Sequence, residues 1–333
     1  MKEKQGAVIA PRRKKMPRLP EYLKRPIIDT DKTKNVRKIL KENCLNTVCE
    51  GARCPNKNEC YTKNTATFLI MGNVCTRNCR YCNIGCEKPQ PLDENEPKNL
   101  AKAVNELGLK FVVITSVTRD DLPDGGAEHF AKCIEEIRKI VPPLRGNRNL
   151  LISKGGQNEE NHSSAPPPSP PPQGGRENQT KIEILTPDFK GDKKSLDIII
   201  QSAPEVFNHN IETVEGLFKT ARPQAIYQRS LQVLKYVKEN SHILTKSGLM
   251  VGLGETMEEV EQTLTDLKNI NIDIVTIGQY IQPSKEHLPV AKFYTIEEFD
   301  ELKSLAKKIG IKNYQIGPLV RSSYNAAETA SKK

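Results

Sequence analysis

A chain of 333 residues is long enough for one large barrel-type domain with extensions, or for two ordinary domains. No apolar run approaches the roughly 18 residues of a membrane span, and the N-terminus, MKEKQGAVIAPRRKKMPRLP, lacks the apolar stretch of a secretory signal. The net charge of +10 suits acidic partners, but Lys and Arg are scattered among Glu and Asp, and no basic run is interleaved with aromatics, so neither nucleic acid nor membrane is an expected partner. The first residues are basic and poor in acids, yet they lack Ser and amphipathic periodicity. A cytoplasmic protein is expected, with a mitochondrial or plastid form left open for a eukaryotic source.

In chain order, residues 12–26 are basic and proline-rich and read as an extended arm without a core of its own. Residues 32–41, KTKNVRKILK, have the pattern of a short helix. It leads into residues 49–82, which hold six of the nine cysteines in two sets of three. Cys49, Cys54 and Cys60 are spaced C-x4-C-x5-C, and Cys75, Cys79 and Cys82 are spaced C-x3-C-x2-C. Between the sets, residues 65–71 are β-branched and apolar, a buried strand. The second trio therefore sits on a loop just past a strand end.

Beyond Cys82 the pattern is regular. Strands are suggested at 111–117, 182–186, 206–210, 249–253 and 274–280, with helical patterns at 97–107, 127–140, 196–201, 227–240 and 257–268. Alternation of this kind implies parallel β/α units, six in all with the strand at 65–71. A further amphipathic helix is expected at 295–309, then an extended segment at 314–319. Residues 144–180 contain APPPSPPPQGG and cannot build a core, so they read as a disordered Pro-rich insertion. It joins a helix to the next strand, which in a β/α barrel places it away from the strand C-termini where reacting groups gather.

Nine cysteines without a secretory signal argue against disulfides and for metal or redox use. Three thiolates on one tight loop can hold three corners of an iron–sulfur cluster and leave the fourth open for chemistry. A zinc site more often pairs C-x2-C with a distant Cys or His pair, and no His lies in this stretch. Cys79-Arg-Tyr-Cys82 alone has the spacing of a thiol redox motif, but that motif should open a helix without two further cysteines beside it. A non-enzymatic electron carrier or zinc-stabilised module stays open on spacing alone. Cys44, Cys86 and Cys133 lie outside both trios; Cys133, within AEHFAKCIEEIRKI, reads as a buried helix thiol.

The C-x3-C-x2-C loop, with Tyr81 before its last cysteine, resembles the radical S-adenosylmethionine (SAM) motif. TVCEGARCPNKNEC ahead of it resembles the auxiliary-cluster motif of the lipoyl synthase family, and Arg321-Ser322-Ser323-Tyr324 resembles that family's R-S-S-Y signature. A transfer-RNA methylthiotransferase shares the radical motif, but with a differently spaced first trio and an appended RNA-binding domain. The resemblance implies an α/β fold, a partial (β/α)6 TIM-type barrel at 63–290. Residues 1–62 would form an arm and auxiliary-cluster cap, and 291–333 a C-terminal helix and closing segment.

It also implies two four-iron, four-sulfur (4Fe-4S) clusters and SAM as cofactors. Cys75, Cys79 and Cys82 would hold the radical cluster. Cys49, Cys54 and Cys60 would hold the auxiliary one, with Ser323, in preference to Ser322, as its fourth ligand. Gly125 and Gly126 resemble the Gly-Gly motif that meets the methionine amino group of SAM. Together with Tyr81 they are expected to bind that cofactor, as are Glu183, Asn208, Asn210 and Lys246 on later strands. The implied reaction removes hydrogen from C6 and C8 of an octanoyl chain and inserts sulfur from the auxiliary cluster, which is consumed. The implied partners are octanoylated lipoyl carrier domains (2-oxoacid dehydrogenase E2 or glycine-cleavage H protein type), a ferredoxin or flavodoxin reductant, and an iron–sulfur cluster carrier.

Overall fold

The computed structural model describes residues 18–26, 30–140 and 180–331. The basic run before Arg18 and nearly all of the expected insertion lie outside these residues. Thr180 does not. It is buried, and its hydroxyl donates to the Leu109 carbonyl at 2.7 Å, so the folded body resumes one residue earlier than the composition suggests.

The elements in order are α1 (Asp31–Glu42), β1 (Asn46–Thr47), α2 (Val48–Gly51), α3 (Lys57–Thr62), β2 (Thr67–Ile70), β3 (Val74–Cys75), β4 (Gly85–Cys86), α4 (Glu96–Glu106), β5 (Phe111–Ser116), α5 (Ala127–Ile140), β6 (Lys181–Leu185), α6 (Lys193–Ser202), β7 (Val206–Asn208), α7 (Phe218–Ala221), α8 (Tyr227–Asn240), β8 (Leu244–Val251), α9 (Met257–Asn269), β9 (Ile274–Gln279), α10 (Ile296–Ile309), β10 (Asn313–Ile316) and α11 (Ala326–Ser331). Eight strands form one sheet in the order β1-β2-β5-β6-β7-β8-β9-β10. Every pairing in it is parallel except the antiparallel β1–β2 edge. Its edges, β1 and β10, do not pair with each other, so the barrel is partial, as expected.

Each helix packs because its apolar residues recur at helical spacing. In α5 the buried apolar side chains are Ala127, Phe130, Cys133, Ile134 and Ile137, spaced as one stripe, and Cys133 is the core thiol anticipated. Thr30, Thr256 and Thr295 begin α1, α9 and α10 with reciprocal capping boxes, which satisfy amides the first turn would leave bare. Several boundaries differ from expectation: α6 starts three residues early and β7 ends two residues early. β8 starts at Leu244, five residues early, because Thr245, Lys246 and Ser247 are polar yet fully buried. The segment expected to be merely extended forms β10, a seventh parallel strand on β9.

Candidate active site

β2 ends at Ile70, and Met71 and Gly72 turn the chain with φ of +66° and +89° into the loop carrying the second cysteine trio. β3 and β4 pair in parallel and gather this loop at its base. Arg77 straps it to the barrel. Its Nε and Nη2 donate to the two oxygens of Asp120 at 2.7 and 2.9 Å, and Nη2 also donates to Asp188 Oδ1 at 2.7 Å. Burial alone would raise the Asp188 carboxyl, but the Arg77 guanidinium outweighs it and holds it down at about 2. Further bonds fix the far side: Arg80 N–H to the Ala221 carbonyl, Leu288 N–H to the Arg80 carbonyl, and His287 Nε2 to the Cys82 carbonyl at 2.9 Å.

Cys75, Cys79 and Cys82 are free thiols, partly exposed at the C-terminal end of the barrel. Cys75 Sγ accepts from the amides of Arg77 and Thr118 at 3.4 and 3.3 Å. Burial, with Cys79 and Cys75 close by, pushes the Cys82 thiol up to about 12, so ligation must displace its proton. Tyr81 lies among Cys79, Cys82, Glu212 and Arg222.

Gly125 and Gly126, both at positive φ, form a turn after β5 that opens α5, and Asp124 accepts from the amides of Gly126 and Glu128. Glu183, Asn208 and Lys246 stand together on neighbouring strands. Lys246 Nζ reaches both Glu183 oxygens at 3.0 Å, and Asn208 Nδ2 donates to Glu183 Oε1 at 2.9 Å, all three fully buried. Asn210 is held apart from them, donating to Glu212 Oε1 and accepting from Ser322 Oγ. Glu183 and Lys246 thus neutralise each other, and Asn208 keeps a free oxygen for a ligand.

Other polar atoms here lack partners. Ser116 Oγ, Thr186 Oγ1, Asn208 Oδ1 and Arg119 Nη1 are buried without a hydrogen bond. They lie at or just past the C-terminal ends of β5, β6 and β7, where buried polar groups call for a polar ligand. The mixed donor and acceptor set fits SAM, whose amino, carboxylate and ribose groups offer both complements.

The first trio occupies the other end of β2. Cys49 lies in α2, Cys60 in α3 and Cys54 between them; with Arg321, Ser323 and Tyr324 they line a pocket of about 460 Å3. Burial and the neighbouring Cys54 push Cys49 up to about 12 and Cys60 to about 11. Ser323 Oγ accepts from Thr67 Oγ1 at 2.8 Å, whereas Ser322 turns away to Asn210. The Arg321 guanidinium makes no ion pair with a carboxylate among the described residues; burial lowers its pKa and nearby Cys54 partly opposes this. An uncompensated cation beside three thiols and a serine hydroxyl fits an anionic thiolate-bound cluster. Among the described residues no three His, Cys, Asp or Glu side chains converge on a single metal ion.

Two glycines let the R-S-S-Y segment cross the barrel interior. A Cβ at Gly278 would meet the Val320 carbonyl oxygen at 2.1 Å, and one at Gly248 would meet Ser322 Oγ at 2.7 Å. Asn56 Nδ2 donates to the Leu319 carbonyl and the Tyr324 hydroxyl to Glu59, so the segment runs from β9 across to the cap that carries the first trio.

The same pocket is lined by residues 107–111, at the N-terminal end of β5. Thr180 and Lys181 bond to Leu109 and Lys110 there, so β6 begins beside this pocket. The expected Pro-rich insertion at 144–180, apart from Thr180, lies outside the described residues. Sequence reading missed Arg77, Asp120, Asp188 and Arg119. The Arg119-Asp120-Asp121 run directly after a strand was the available signal, since such loops carry function in this architecture.

Comparison with known proteins agrees with this geometry. Residues 69–267 match the Radical SAM superfamily. The lipoyl synthase of Caldicellulosiruptor bescii is 49% identical over 311 residues, covering 93% of this chain and 94% of the relative. That of Coxiella burnetii (strain RSA 331) is 45% identical over 311 residues, covering 93% and 87%. The crystal structure of HydG, a maturase of the FeFe-hydrogenase, superposes with a TM-score of 0.51 at 12% identity, over 86% of this chain and 56% of that one, a likeness of fold alone. The chain belongs to the lipoyl synthase family of the radical SAM superfamily, enzymes that use SAM and 4Fe-4S clusters to insert two sulfur atoms, at C6 and C8, into a protein-bound octanoyl chain.

Proposed function

We propose that Cys75, Cys79 and Cys82 hold the cluster that reacts with SAM, and that Cys49, Cys54, Cys60 and Ser323 hold the cluster that gives up sulfur. One observation carries this division: the trios stand at opposite ends of β2, whose four residues rise about 13 Å. When bound, the first cluster would supply the electron for reductive cleavage of SAM, and the second would supply the sulfur. The chain's own residues do the rest. Arg77, locked on Asp120 and Asp188, keeps the three thiols on one rigid loop. Gly125 and Gly126 present backbone to the SAM amino group, with Tyr81 beside the loop. Asn208 Oδ1 and Arg119 Nη1 are among the polar atoms left free to orient the cofactor; Glu183 and Lys246 act by holding Asn208. Thr67 donates to Ser323 Oγ, the oxygen that must become anionic to ligate iron, and serine is a weaker ligand than thiolate, able to leave when the cluster opens. Asn210 secures Ser322 and so aims Ser323 at the first trio.

The substrate is an octanoylated lipoyl carrier domain. We assign it to the E2 or H protein type, with a ferredoxin or flavodoxin reductant, a cluster carrier to rebuild the second site, and a cytoplasmic setting. No helix among the described residues is long and apolar enough to cross a membrane. The test is anaerobic reconstitution, followed by SAM, dithionite and an octanoyl-lysyl peptide. About eight irons per chain, 5′-deoxyadenosine and thiolated peptide are expected; zinc in place of iron would refute the assignment.

A further inference from the structure

We infer that Glu96 and His129, which touch neither trio, are positioning residues that set how SAM sits relative to the Cys75–Cys79–Cys82 loop. The inference rests on the reading of that loop and of the Gly125-Gly126 turn as the SAM site. Both elements are referred to one residue, Met71. Its backbone starts the loop, four residues ahead of Cys75, at φ +66°, a conformation a methionine keeps only where its surroundings hold it. Glu96 Oε2 does the holding. It accepts from the Met71 amide at 2.8 Å and lies 2.7 Å from His129 Nε2.

Met71, Glu96 and His129 are 4%, 6% and 5% exposed, so water does not compete for these bonds. Glu96 occupies the first turn of α4 and His129 the first turn of α5, where a helix N-terminus favours the carboxylate. The pair therefore ties two helix starts to the end of β2. The Met71 side chain then meets the other SAM element. A Cβ at Gly126 would lie 2.3 Å from Met71 Sδ and 2.7 Å from Cε, so the thioether forms the floor of the Gly-Gly turn. Backbone at the cysteine loop and side chain at the Gly-Gly turn make Met71 the spacer between the two, and Glu96 with His129 fixes the spacer.

The test uses full-length holoenzyme, anaerobically reconstituted, as wild type, His129→Ala, His129→Gln and Met71→Ala. Iron content and melting temperature report folding. Equilibrium dialysis reports SAM binding, and the reduced-cluster EPR spectrum with and without SAM reports its placement on iron. His129→Ala and Met71→Ala should keep their iron, bind SAM about tenfold more weakly, show an altered SAM-induced spectrum, and release more 5′-deoxyadenosine per thiolated product. His129→Gln, whose amide can donate to Glu96, should restore all three. Unchanged SAM affinity and spectrum with only a lower melting temperature would overturn the inference. So would a wild-type Met71→Ala in the event that His129→Ala fails to fold. A wild-type spectrum indifferent to SAM would overturn the site reading together with it.

Discussion

Gly278→Ala should separate the two halves of the reaction. The added methyl would stand 2.1 Å from the Val320 carbonyl oxygen, 3.0 Å from its carbon and 3.2 Å from Arg321 Nη1. The first two contacts are backbone and cannot rotate away. Restoring an ordinary separation of about 3.5 Å moves the crossing segment by about 1.4 Å. That displacement exceeds what the 2.8 Å Thr67–Ser323 and 2.7 Å Ser322–Asn210 bonds can absorb. Losing both costs about 2 kcal/mol, and crowding of the packed interior adds about 1–3 kcal/mol. The Cys75 loop, strapped by Arg77, lies at the other end of β2 and is untouched. Reconstituted Gly278→Ala should therefore retain about four irons rather than eight, form 5′-deoxyadenosine from SAM, and fail to thiolate an octanoyl-lysyl peptide. The decisive assay is iron content beside product analysis on one preparation. Full sulfur insertion with both clusters present would show that the R-S-S-Y segment does not need its observed path.

Cys79→Ala should abolish SAM cleavage, while Cys54→Ala should leave cleavage largely intact and abolish sulfur insertion; equal loss of both activities in both variants would contradict the assignment of the trios. Asp188→Asn leaves the Arg77 guanidinium with one carboxylate in a buried setting and should lower unfolding free energy by about 3 kcal/mol, read from urea denaturation; a loss under about 1 kcal/mol would mean that Asp120 alone holds the loop. His209 is buried, and burial with the Arg222 charge holds its pKa down at about 4, whereas an unfolded histidine titrates near 6.5. Between these values the unfolded chain binds the extra proton, so stability is complete above about pH 6.5 and falls by up to about 3 kcal/mol as pH drops to 4. His209→Gln should flatten that slope in urea titrations, and an unaltered slope would assign it to other groups.

The β/α alternation was legible because it is written in apolar periodicity. Strands β2, β5 and β9 and helices α5 and α8 stand within a residue or two of their expected bounds. β8 was half hidden because Thr245, Lys246 and Ser247 are polar, and only the charge of Glu183, contributed from β6, makes Lys246 a buried residue. No periodicity in either strand announces that pairing. α2 and α3 escaped notice for another reason: helices of four and six residues have no second turn in which a pattern could repeat. Of the site, the cysteines were legible because their spacing is itself the chemistry. Thr67, Glu96 and His129 were not, since each works through a contact that spans 25 to 256 residues of chain.

The antiparallel edge and the crossing segment explain how a sheet that does not close still encloses a reaction. β1 covers the outer side of β2, and the chain that follows β10 returns through the interior to the same strand, where Thr67 meets Ser323. β2 thereby lies between the two cysteine sets, the first reached through the cap and the second through its own C-terminal turn. A short, buried strand is a rigid spacer between the two sets. The buried Glu183–Lys246 pair serves the same enclosure. Two opposite charges bonded to each other line the interior without drawing water into it, which a single unpaired lysine or glutamate on those strands would do.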